Sequence, residues 1–116
     1  MKVRTKNQRS QELEIDAEGG NGRLYLDALL LKSDMPEKLR TFSVATLEVG
    51  ASVGYHEHLG ESESYYILSG TGEYNDDGVI CSVHEGDVTY TPGGHGHGIK
   101  NIGEKPLEFI ALIVKD

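Results

Sequence analysis

A chain of 116 residues has room for one domain with a proper hydrophobic core and not for two. Its net charge of −8 argues against binding nucleic acid through phosphates, and its one cysteine, Cys81, cannot form an intrachain disulfide. The basic residues Lys2, Arg4, Lys6 and Arg9 near the start have no apolar run behind them, so they do not read as a secretory signal. The apolar stretches are far too short to span a bilayer as helices, and a cytoplasmic protein that binds neither membrane nor nucleic acid is expected.

The chain is punctuated by 15 glycines, and no window of helical length carries a 3.6-residue apolar period. Leu13 and Ile15 alternate with acidic residues and predict a first edge strand within an N-terminal arm, 1–22, free to pair with a partner subunit. Gly19-Gly20-Asn21-Gly22 breaks the chain. A barrel of 23–116 is then expected, starting with a strand over 23–32 and a loop, or a single helical turn, from Ser33 to Lys38. Short strands follow over 41–49, 52–58, 62–69, 72–74, 79–83, 87–90, 97–101 and 107–115. Asn75-Asp76-Asp77-Gly78 is a hairpin turn, and Cys81 falls at a small core position. The expected fold is all-β, a sandwich or closed barrel.

The chemistry is concentrated in Gly50 to Glu63. His56 and His58 are two residues apart on a strand and so share a face, while Glu57 points away. After the Leu59-Gly60 turn, Glu63 opens the next strand, which as an antiparallel neighbour brings a carboxylate within reach of both imidazoles. Gly86 to His97 supplies further histidines, His95 and His97, beyond a sharp Pro92 turn.

Two patterns frame these residues. Gly50, His56, His58, Glu63 and Gly70 fill G-x5-H-x-H-x4-E-x6-G. Gly86, Pro92, Gly94, His97 and Asn101 fill G-x5-P-x-G-x2-H-x3-N. All ten positions resemble the paired motifs of the cupin superfamily, in particular small single-domain cupins similar to oxalate decarboxylase. The resemblance implies a double-stranded β-helix, or jelly roll, holding one divalent metal ion through His56, His58, Glu63 and His97. Three imidazoles and one carboxylate suit Mn, Fe, Zn, Ni, Co or Cu without choosing among them.

By strand parity Tyr65, Ile67, Tyr90 and His95 are candidate pocket residues, with Tyr65, Tyr90 and His95 the candidate acid–base groups. The favoured reading is a metal-dependent enzyme acting on a small oxygenated or carboxylate-bearing metabolite, of dioxygenase, decarboxylase or isomerase type. A non-catalytic module that senses or binds an anionic small molecule is the alternative, and a purely structural metal is the third reading. A homodimer is expected, since symmetric dimers are the commonest closed assembly.

Overall fold

The computed structural model describes residues 3–116, so Met1 and Lys2 of the N-terminal basic cluster lie outside the described residues. Ten strands are present among these residues: β1 (Gln11–Ile15), β2 (Arg23–Ala28), β3 (Leu39–Leu47), β4 (Ser52–His58), β5 (Glu61–Ser69), β6 (Thr71–Asp76), β7 (Val79–His84), β8 (Val88–Thr91), β9 (His95–Asn101) and β10 (Leu107–Lys115). The only helical pieces described are three single 3-10 turns, at Lys6–Gln8, Ala17–Gly19 and Lys32–Asp34. Among the described residues no helix is long and apolar enough to cross a membrane.

The strands form two facing sheets. One has the order β1-β2-β3-β10-β5-β8 and the other β4-β9-β6-β7, with antiparallel pairing throughout. From β3 to β5, and again from β8 to β10, successive strands change sheet, which winds the chain into the expected jelly roll. Period-two alternation turns one set of side chains inward. Leu47, Ile67, Leu107 and Phe109 are fully buried between the sheets, with Val53, Val83 and Ile99 facing them.

The N-terminal arm is built into its own barrel. Every residue of β1 pairs with β2 of the same chain, from Gln11 opposite Asp27 to Ile15 opposite Arg23. The tight return is held by the Gly22 N–H, which donates to Asp16 Oδ1 at 2.8 Å, and by the Asp16 N–H, which donates to the Gly22 carbonyl at 2.9 Å. Arg9 closes on Asp27 at 3.4 Å. The turn Ala17–Gly19 then lies directly on β4. There a Cβ at Gly54 would collide with the Glu18 carbonyl oxygen, and one at Gly20 with the Ser52 carbonyl oxygen. Bare backbone on both sides is what permits this approach.

Three expectations are corrected. The strand begun at Arg23 ends at Ala28, because the chain leaves the sheet for the turn at Lys32–Asp34. Cys81 is exposed, since β7 is an edge strand that overhangs the core and buries only Val83. β4 and β5 are consecutive but are not paired neighbours: β4 pairs with β9, and β5 with β10 and β8.

The second motif also gains a structural reason. Buried Asn101 donates its Nδ2 to the Leu47 carbonyl at 3.0 Å and the Lys105 carbonyl at 2.9 Å, and its Oδ1 accepts from the Gly103 N–H at 2.9 Å. One satisfied amide thus ties the end of β9 to β3 and the loop that follows.

Candidate metal centre

His56 and His58 project inward from β4, and His97 stands directly opposite His56 on paired strand β9. Glu63 comes from β5 in the other sheet and crosses the interior to meet them. The cluster therefore bridges both sheets. One ligand atom from each of the four residues can be chosen so that all lie within 4.8 Å of one another, and His58, Glu63 and His97 are buried. The three imidazole centroids form a near-equilateral triangle with sides of 4.9, 4.8 and 5.0 Å.

The far ring nitrogens decide which way the near ones face. His56 Nδ1 lies 2.7 Å from the Gly54 carbonyl, which can only accept, so Nδ1 carries the proton. His58 Nδ1 lies 2.8 Å from the Glu61 carboxylate, with the same result. His97 Nδ1 lies 2.6 Å from the Tyr74 hydroxyl, which is itself 3.0 Å from Thr91 Oγ1. In the tautomer that donates to Tyr74, the phenol passes its own proton on to Thr91, and all three Nε2 lone pairs then point at one another.

Glu63 Oε1 lies 2.8 Å from His97 Nε2, 3.0 Å from His58 Nε2 and 3.9 Å from His56 Nε2, and His58 Nε2 is 3.1 Å from His97 Nε2. Donors bound about 2.1 Å from a first-row ion at right angles stand about 3 Å apart. A convergence of lone pairs at that spacing suits a cation at their centre, and the donor set fits one divalent ion.

Among the protein's own groups, the electrostatics favour an ionised Glu63 and a neutral His97 but work against a neutral His56. Burial favours a neutral Glu63, but hydrogen bonds from His56 and His97 and the nearby His97 and His58 carry its pKa down to about 2. Burial lowers His97, which favours the neutral, ligating imidazole. For His56, burial pulls downward and the bonds to Glu63 and Gly54 outweigh it, leaving a net rise. Tyr65 is pushed well above an ordinary phenol by burial and by the Glu63 charge, so it remains protonated.

A cavity of about 240 Å³ reaches His56, His58, Glu63 and Tyr65. Tyr65 lines this cavity, where its ring stacks on His97 with centroids 4.9 Å apart and packs on Phe109. Ile67 points inward but lies deeper, fully buried in the core. Tyr90 is not in the cavity. It stands opposite Ser64 on the outer face of β8 and is exposed. Thr89 and Thr91 are the inward residues of that strand, because they bond the Tyr65 N–H and the Tyr74 hydroxyl. His95 also lies apart, half exposed, with its Nδ1 2.9 Å from Asp77 Oδ2.

Residues that no motif marked complete the walls. Glu14 and Glu18 come from the N-terminal hairpin and Arg40 from β3. Glu18 has φ +53°, a left-handed backbone conformation uncommon outside glycine.

The cupin-domain family model matches residues 43–113. This chain belongs to the cupin family. The cupin is 44% identical over 96 residues to an oxalate-binding protein of Thermotoga maritima, an alignment covering 83% of this chain and 79% of that protein. It superimposes with a TM-score of 0.93 and 40% identity on a Thermotoga maritima crystal structure described as a predicted oxalate decarboxylase, covering 100% of both chains. It is also 32% identical to the oxalate decarboxylase OxdC of Bacillus subtilis over 88% of this chain, which spans only 27% of that longer protein.

Proposed function

We propose that this cupin holds one divalent first-row metal through His56, His58, Glu63 and His97 and uses it to bind a small carboxylate, with oxalate as the model ligand. The observation that carries the reading is the open cavity leading to a closed set of inward-facing donors. A bound divalent ion supplies a Lewis-acid centre whose +2 charge exceeds the −1 of Glu63, so the floor of the cavity favours a carboxylate oxygen. The protonated Tyr65 hydroxyl lies beside Glu63, and the walls around it are largely apolar, which strengthens a polar contact made within. The names of the Thermotoga relatives point to the same ligand class.

Titration calorimetry with metal-loaded protein tests this. Oxalate is expected to bind the loaded form and not the metal-free form. Citrate should bind more weakly, because its extra carboxylates meet Glu14 and Glu18 at the cavity wall. Equal oxalate binding with and without metal would refute the proposal. Chemistry on the bound carboxylate is the second reading. It is favoured by Glu18, an acid–base group in the cavity wall in addition to the donors. Turnover of oxalate by the loaded protein, assayed under air and without oxygen, separates an enzyme from a binding protein.

A homodimer is also proposed. Its support is the outer face of the six-stranded sheet, which exposes Leu13 and Ile15 along its β1 edge and Tyr66, Val88 and Tyr90 along its β5–β8 edge. Light scattering at micromolar concentration is expected to return twice the chain mass; a monomer would remove this assignment.

A further inference from the structure

Each inward-facing histidine is held from behind by a different group: a backbone carbonyl for His56, a phenol for His97 and a carboxylate for His58. The carboxylate is Glu61. It is neither a motif residue nor one of the four donors, and two neighbours, His58 and Arg40, fix its position through three contacts. Glu61 shares strand parity with Glu63, so both enter the interior from β5, one toward the donor cluster and one behind His58. Its Oε2 lies 2.8 Å from His58 Nδ1. Arg40 on β3 grips the same carboxylate with both arms, Nε to Oε1 at 2.9 Å and Nη2 to Oε2 at 2.9 Å. The His58 and Glu61 side chains are only 6% and 16% exposed, so water is a poor substitute for the bond between them, while Arg40 reaches the carboxylate from a half-exposed position.

We infer that Glu61, clamped by Arg40, is a positioning residue that fixes the tautomer and strengthens the donor character of His58. This rests on the metal-centre reading above. A histidine that gives its outer N–H to an ionised carboxylate is a more basic ligand than one that gives it to a carbonyl or a phenol. The two-armed arginine contact keeps that carboxylate in the plane needed to meet Nδ1. Arg40 thus serves the donor cluster at one remove, and His58 is the strongest nitrogen donor of the three.

The test measures zinc affinity by competition with a chromophoric chelator, and the visible spectrum of the cobalt-loaded protein. It compares the wild type with Glu61→Ala, Glu61→Gln and Arg40→Gln, using Glu57→Gln on the outer face of β4 as the control. Glu61→Ala is expected to weaken zinc binding about 10- to 100-fold and to shift the cobalt bands. Glu61→Gln keeps an acceptor oxygen but loses the charge, so it should fall between that variant and the wild type. Arg40→Gln should weaken binding severalfold, and Glu57→Gln should match the wild type. A merely structural role would lower the melting temperature of the metal-free protein and leave the cobalt spectrum unmoved. Affinity within twofold of the wild type in Glu61→Ala, with an unchanged spectrum, overturns the inference. Should Glu61→Ala fail to fold, the same two results in Glu61→Gln decide it. A parallel His58→Ala sample separates the two readings: if it also keeps its metal, the metal centre itself is misassigned.

Discussion

His58→Ala is expected to weaken metal binding roughly a hundredfold or more and, with it, to remove most of the metal-dependent heat resistance of the protein. Protein sites binding structural zinc are worth roughly 10–16 kcal/mol, so one ligand in four carries about 3 kcal/mol, or a hundredfold or more in affinity. His58 is 5% exposed and stands on the Glu63 side of the cluster, so an alanine there leaves a void that no neighbouring donor fills. A ligand at a thousand times its dissociation constant stabilises the folded state by about 4 kcal/mol. In a domain of this size that is on the order of 10–20 °C in melting temperature. Thermal melts of the wild type with and without added zinc should differ by that amount, and in His58→Ala the difference should fall to about a third of it. Retention of both metal and thermal shift in the variant would show that the ion sits elsewhere.

Gly54→Ala is expected to be the most damaging single-methyl change in the chain. The added carbon meets the Glu18 carbonyl oxygen and the Gly20 nitrogen, and neither can rotate aside as a side chain would. Overpacking of this kind costs about 3 kcal/mol at the upper end of the usual range, roughly 10 °C in melting temperature here. The change also strikes the metal centre, because the Gly54 carbonyl accepts the His56 Nδ1 proton. Differential scanning calorimetry and chelator competition on the variant should show both losses. A variant that melts like the wild type would mean that the Ala17–Gly19 turn is not locked to β4.

Much of this was legible beforehand because strands write their geometry locally. Alternation put His56 and His58 on one face, and glycines such as Gly86 and Gly94, at φ +89° and +84°, marked the reversals around them. What eluded sequence reasoning depended on contacts between distant segments. Glu63 was expected from a paired neighbour of β4, yet it arrives from the opposite sheet, and nothing local distinguishes the two arrangements. Strand parity alone points Tyr90 inward. The strand instead turns its threonines inward because their hydroxyls have buried partners. Nothing local marks Arg40, Glu61 or Glu18, and only the fold brings them to the cavity and the back of His58.

The docked N-terminal hairpin divides the inheritance of this site between two stretches of chain. All four proposed ligands fall within residues 43–113, the stretch that matches the family. Glu14, Ala17, Glu18, Leu24, Leu26, Arg40 and Thr41, which complete the cavity wall, all precede it. Mutations in the N-terminal hairpin can therefore reshape what the cavity admits while the four donors stay intact, whereas Arg40, which clamps Glu61 behind His58, ties the same stretch to the metal centre. Grafting the N-terminal hairpin of one cupin onto the barrel of another, with Arg40 kept in place, becomes a direct route to new ligand preference on the same four donors.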